Sequence, residues 1–322
     1  LGLTLAGTGQ DPVVDGMLTV ADLYLEETVR YVDVRGGFRI ADRRLEPALH
    51  LDVVDEDLVW SLGIGCDGVI HLLLQRLDGA EGSAVFTHIR RSHEARDEVL
   101  LALVTRSGAE ASTGAMATLD RAGKPFGEEN LLGLLQEATA EWPEWRSRIV
   151  ERQGGEVMLV RMPPRTRVLV CGAGPDAVPV AACFAGLDWE VLVVDHRAAF
   201  ARAERFPPGC RVVQSRPEAL GENVDLAAVD AAVIMNHHLE NDAACLRQLA
   251  QAGPDYIGTL GPRARRGRLQ EMAACVDLPV HGPVGLDIGA ELPAAIALSV
   301  AAEIHAVLNG RDGRSLTELN HG

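Results

Sequence analysis

Residues Arg167 to Arg197 read RVLVCGAGPDAVPVAACFAGLDWEVLVVDHR. An apolar run, Val168 to Cys171, meets a tight glycine turn, Gly172-Ala173-Gly174, and an alanine-rich helical stretch follows from Ala177 to Gly186. A second apolar run, Val191 to Val194, ends in Asp195. Strand, glycine turn, helix, strand, acid is the order of a dinucleotide-binding βαβ unit. Gly172 allows a sharp exit from the strand. Gly174, lacking a Cβ, would let a pyrophosphate approach the backbone and the helix N-terminus beside Asp176. Ala177 is the third small residue, where bulk would push helix from strand. Asp195 falls twenty-one residues beyond Gly174, at a strand end where a carboxylate can bind ribose hydroxyls, with His196 and Arg197 next to it. The bland alternative is a fold of this type that has lost its nucleotide.

Outward from this unit, the expected fold class is α/β: a C-terminal Rossmann-like parallel sheet with helices on both faces, preceded by a mixed α/β N-terminal domain. The domains are expected at 1–163 and 164–322, with Pro163-Pro164 as a stiff link that continues neither strand nor helix. A chain of 322 residues can bury two cores. Its 47% apolar and 4% aromatic residues, dominated by alanine, valine, leucine and glycine, suit helix-covered parallel strands.

The net charge of −16 excludes a general nucleic-acid binder, because phosphates would be repelled. No apolar run reaches membrane-spanning length, so no membrane partner is expected. Six scattered cysteines without CxxC spacing suit reduced thiols in the cytoplasm better than a disulfide framework or zinc site. No secretory signal is visible, and the sequence opens on Leu1 rather than Met, which fits a missing start.

In the second half, Cys210 to Val213, Asp230 to Met235 and Tyr256 to Leu260 read as further strands, with helices from Asp242 to Gln251 and from Pro293 to Leu308. Since ligands lie beyond the carboxyl ends of parallel strands, His237, His238, Asp242 and Gly258 are expected to face the same crevice as Gly174. In the first half, 18–34 contains a helical stretch, and 38–40 and 50–54 read as short strands. Val69 to Leu77, Ser83 to Thr87, Val99 to Thr105, Thr113 to Leu119 and Val157 to Val160 read as strands, and Glu128 to Ala140 as an amphipathic helix. Arg90, Arg91 and Arg96 fall in a polar link that could serve an anion or simply be solvated. Cys66 lies between Gly63, Gly65 and Gly68, next to Asp67. Amides of such a turn could stabilise a thiolate; the alternative is a small buried cysteine.

Taken together, DEDLVWSLGIGCDG (55–68), VLVCGAGPDAVPVA (168–181), VVDHR (193–197), MNHHLENDAACL (235–246), YIGTLGPRARRGRL (256–269) and HGPVGLDIGAELPAAIALSVAAEI (281–304) resemble the XdhC/CoxI family. That resemblance implies an accessory chaperone that binds molybdenum cofactor (molybdopterin) and promotes its maturation and insertion into a molybdenum hydroxylase apoenzyme of the xanthine dehydrogenase type. It implies that Cys66, with Gly65 and Asp67, contacts the cofactor and its metal, facing an interdomain cleft. It brings in a cysteine desulfurase as a further partner to test and a homodimer as the assembly to test. The family's earlier Gly-Gly-Cys-Leu-Glu motif is represented by Leu23-Tyr24-Leu25-Glu26, with Tyr24 in the cysteine's place. Two rival readings stand beside this one. One is an NAD(P)-dependent oxidoreductase drawing on His237, His238 or Asp242 as acid or base. The other is a nucleotide-sensing module holding NAD(P) or another adenosine nucleotide.

Overall fold

The computed structural model describes residues 84–109, 111–139, 147–315 and 317 in full, and the backbone of 4–5, 48–53, 70–75 and 80–83. The chain divides into two compact units, Leu1–Pro164 and Arg165–Gly322.

Among the described residues the first unit carries two sheets. β1 (Thr4–Leu5) runs parallel to β3 (Ile70–Gln75), which pairs antiparallel with β2 (Ala48–Val53). Helix α1 (Ala80–Glu94) then leads into a five-stranded antiparallel sheet. Its strands are β4 (Val99–Arg106), β5 (Met116–Asp120), β6 (Pro125–Gly127), β7 (Ser147–Arg152) and β8 (Gly155–Met162), in the order β6-β5-β4-β8-β7. Side chains alternate along a strand, and β4 is buried at every position but its last because both faces are covered. Leu100, Ala102 and Val104 pack under helix α2 (Glu129–Thr139), while Val99, Leu101 and Leu103 join Val85 and Ile89 of α1.

One sequence expectation is corrected here and another is extended. Ser83–Thr87 is helical rather than a strand, as are Arg90 and Arg91. Five apolar or small residues do not distinguish the two periods, but the buried residues Val85, Ile89 and Ser92 recur at helical spacing. The strand around Val157–Val160 is the second arm of a hairpin whose first arm, β7, was not anticipated. Gln153 and Gly154 turn it with φ of 43° and 81°, the left-handed pair that a two-residue hairpin loop favours. The readings at 18–34 and 38–40 lie outside the described residues.

The second unit is one parallel sheet in the order β11-β10-β9-β12-β13. Its strands are β9 (Arg167–Cys171), β10 (Glu190–Asp195), β11 (Arg211–Gln214), β12 (Ala231–Ile234) and β13 (Tyr256–Thr259). Val168 and Val170 face α3 (Ala177–Gly186) and the long helix Pro293–Leu308, through Val180, Phe184, Val300 and Ile304. Leu169 and Cys171 face the other side, where helices Leu239–Ala252 and Arg263–Ala273 bring Leu246, Leu249 and Leu269. This order reverses between β9 and β12, and the crevice above that switch point is where such sheets bind ligands. Segment 280–284 lies along β13: His281 N–H donates to Ile257 C=O, and the N–H groups of Thr259 and Val284 donate to His281 and Thr259 C=O. Among the described residues no helix is long and apolar enough to cross a membrane.

Candidate functional site

The glycine turn sits at the end of β9. Gly172 has φ 115°, and a Cβ there would lie 2.6 Å from the Met235 carbonyl oxygen at the end of β12. Only glycine lets the two strand ends approach so closely. Gly174 differs: a Cβ there would meet nothing within 4 Å, so its freedom opens the turn outward. Ala177 is fully buried at the head of α3, as its packing role requires. Pro175 has no N–H, and the Ala173 N–H is already bonded. The N–H groups of Gly174 and Asp176 make no hydrogen bond among the described residues. Two unpaired amides at the start of a helix can receive an anionic oxygen, so the residues present fit a phosphate here. The half-exposed Asp176 carboxylate flanks these amides.

Asp195 does not present its carboxylate to a ribose. Its side chain is 0% exposed, and the protein supplies four hydrogen bonds to it. Oδ2 accepts from Ala173 N–H at 2.8 Å. Oδ1 accepts from Arg197 N–H at 2.8 Å. The Arg197 guanidinium closes both oxygens, Nε to Oδ1 at 2.9 Å and Nη2 to Oδ2 at 2.8 Å. Burial pushes this carboxyl up, but the hydrogen bonds from Arg197 and Ala173 and the guanidinium charge outweigh it, so Asp195 titrates below the usual range. The acid at the end of β10 therefore ties the glycine turn to the β10 loop. His196 lies 3.5 Å from Oδ1 and is partly exposed. Arg197 stacks on the Phe200 ring at 3.9 Å. Arg205 lies over the same ring at 4.9 Å and donates to the Ala173 carbonyl at 2.7 Å. Sequence reasoning missed Phe200 and Arg205; the Asp-x-Arg spacing with an aromatic three residues on was the signal.

Across the switch point, His237 has φ 59°, an uncommon backbone for a residue with a side chain, found where function or packing demands it. Its Nε2 stands 3.6 Å from Asp176 Oδ2, which brings together two of the predicted site residues. His238 pairs with Glu240 at 3.2 Å and is well exposed. Asp242 is not open to the crevice. The helix begins at Leu239, three residues earlier than the sequence suggested, and this turns Asp242 inward. Its carboxylate, 2% exposed, accepts from Asn236 N–H at 3.0 Å, from Asn236 Nδ2 at 3.1 Å and from Arg265 Nη2 at 2.5 Å. Gly258 is mid-strand, where a Cβ would lie 2.6 Å from Val284 Cγ2, so it serves packing. Beside it, Glu303 accepts from Tyr256 Oη at 2.5 Å and Gly285 N–H at 2.7 Å, and its Oε1 lies 3.2 Å from His281 Nδ1.

In the first unit, a cavity of about 460 Å³ is lined by His88, Arg91, Ser92, Asp120, Lys124 and Phe126, among others. Arg91, one of the three arginines noted in the sequence, reaches this cavity. His88 Nδ1 bonds Thr118 Oγ1 at 2.9 Å and its Nε2 lies 3.4 Å from Asp120. Cys66, Gly65 and Asp67 lie outside the described residues. Among the described residues no group of three His, Cys, Asp or Glu could hold a metal ion.

Residues 168–304 match the family described as the XdhC Rossmann domain. Over 265 residues the chain is 30% identical to a Bacillus subtilis protein named as a probable xanthine dehydrogenase subunit, covering 78% of this chain and 72% of that protein. It is 28% identical over 166 residues to "Uncharacterized protein YqeB" of Escherichia coli, covering 49% of this chain and 30% of that one. A crystal structure described as a xanthine dehydrogenase from Bacillus halodurans superposes with a TM-score of 0.63 at 20% identity, covering 82% of this chain and 75% of that chain. At that identity the likeness speaks for the fold.

Proposed function

The chain belongs to the XdhC/CoxI family, and on that premise we propose that it is an accessory protein which binds molybdenum cofactor and delivers it to a xanthine dehydrogenase-type apoenzyme. The observation that carries this reading is the similarity to the probable xanthine dehydrogenase component of Bacillus subtilis, which extends over 72% of that protein. In this reading the cofactor is cargo, and Cys66 supplies a thiolate to its molybdenum, a soft ligand for that metal. A cysteine desulfurase and a second copy of the chain are the further partners.

The Rossmann crevice is the site of an adenosine nucleotide. The unpaired N–H groups of Gly174 and Asp176 support this, since they can receive a phosphate oxygen at the head of α3. His237 Nε2 stands 3.6 Å from Asp176 Oδ2 at the start of that helix. For the oxidoreductase alternative, Asp242 is enclosed by Asn236 and Arg265 and His238 pairs with Glu240 at the surface, so its acid or base would be His237.

The test is anaerobic purification of wild type and Cys66→Ser, with pterin fluorescence and molybdenum content measured side by side. Activation of the client apoenzyme is the second readout. Equal cofactor loading of the two proteins refutes the role of Cys66. Absence of pterin and molybdenum from wild type, with no activation of the client, refutes the function.

A further inference from the structure

In a dinucleotide site of this fold, an exposed acid at the end of the second strand receives the two ribose hydroxyls, and a nearby arginine in its stead accommodates a 2′-phosphate. The residue type at that position here is the acid, Asp195, but the surface it offers is the opposite. Its two oxygens take four hydrogen bonds from Ala173 and Arg197 and its side chain is fully buried. No lone pair is left for a ribose diol.

What faces outward is Arg197, 40% exposed. Its guanidinium is held on one edge by Asp195 and on one face by the Phe200 ring. Its Nη1 makes no hydrogen bond among the described residues. Such a group is already oriented, so little side-chain freedom is lost when an anion binds. The partly exposed His196 lies 3.5 Å from Asp195, and the Arg205 guanidinium lies over the Phe200 ring at 4.9 Å. The one neighbouring acid on this loop, Glu204, stands 3.6 Å from Arg202.

We infer that the adenosine end of the crevice selects a nucleotide carrying a phosphate on the ribose 2′ carbon, with Arg197 as the specificity-determining residue and Asp195 as the group that positions it. The inference rests on the nucleotide reading of the crevice proposed above. It reverses what the acid alone suggests, because Asp195 is neutralised in place by the residue two positions later. A 2′-phosphate gains charge-assisted hydrogen bonds from Arg197, whereas an unphosphorylated ribose meets a cation with no acceptor behind it.

The experiment titrates the full-length protein with NADPH and with NADH, followed by calorimetry at low and physiological salt. These probes differ only in the 2′-phosphate. NADPH is expected to bind at least about tenfold tighter, with the margin shrinking as salt is added. A margin below tenfold, including equal binding or a preference for NADH, overturns the inference and leaves the nucleotide reading standing. Binding of neither overturns both. The variant Arg197→Gln removes the cation and frees Asp195 for the ribose, so the ratio should fall to near unity and NADH itself should bind more tightly. A folded variant that keeps the wild-type ratio overturns the assignment to Arg197. If the variant does not fold, the wild-type ratio and its salt dependence decide.

Discussion

Asp242→Ala tests whether a buried carboxylate organises the β12 side of the crevice. Three hydrogen bonds end on Asp242, two from Asn236 and one from Arg265. Losing the acceptor leaves the Asn236 backbone N–H without a partner, at about 1–2 kcal/mol, and its amide at somewhat less. The bond from Arg265 is charge-assisted, but the guanidinium is 25% exposed and can recover water, so about 1–2 kcal/mol is lost there. Against this, a carboxylate no longer has to be desolvated, which offsets part of that loss. The net expectation is about 2–4 kcal/mol of lost stability in the second unit. Hydrogen exchange by mass spectrometry, read on peptides spanning 231–252, isolates this unit from the first. The double variant Asp242→Leu/Arg265→Met removes both partners together and should be closer to wild type than Asp242→Ala, because no uncompensated charge remains. A loss below about 1 kcal/mol for Asp242→Ala, or a double variant less stable than the single, refutes the reasoning.

Gly172→Ala should destabilise by about 3 kcal/mol or more, since it combines a left-handed backbone with a 2.6 Å approach to the Met235 carbonyl; a melting temperature near wild type would count against it. Gly174→Ala at the same turn should leave stability within about 1 kcal/mol, because a Cβ there meets nothing, and thermal unfolding of the two variants side by side checks the contrast. Asp195 and Glu303 both titrate below the usual carboxylate range. Burial raises each, but donors from Arg197 and Ala173 outweigh it at Asp195, as do His281, Tyr256 and Gly285 at Glu303. A depressed folded value stabilises above the unfolded value and is lost as pH falls through the folded one, so the melting temperature should fall below about pH 4. In Glu303→Gln that acid limb should be shallower, and an unchanged slope would refute the assignment.

The β9–α3–β10 unit was legible because its evidence is local: apolar runs, small residues and an acid within thirty residues of each other. Gly172 makes the sharp strand exit and Ala177 the close packing that their residue types suggested. The roles of Asp195 and Asp242 were not legible, although both positions were picked out. A carboxylate's function depends on which donors reach it: three of the four bonds to Asp195 come from Arg197, whose folding back residue type alone does not show, while Ala173 and Arg265 reach Asp195 and Asp242 from twenty-two and twenty-three residues away. Gly258 was placed at the crevice by its strand-end neighbourhood, yet its reason is the close packing of Val284. The helix at 80–94 was hidden because Ser83 to Thr87 is too short to show a period, and its buried spacing is visible only over the longer stretch.

The segment along β13 has a consequence for how this molecule meets copies of itself. A parallel sheet ending in β13 would display a row of free N–H and C=O groups, a template on which a foreign strand could add. The hydrogen bonds among Ile257, Thr259, His281 and Val284 occupy that row from within the chain. At the opposite margin β11 is only four residues long, and Arg211 at its start is exposed; shortness and charge are two of the devices that keep a sheet edge from recruiting partners. Both margins thus guard against runaway strand-by-strand stacking.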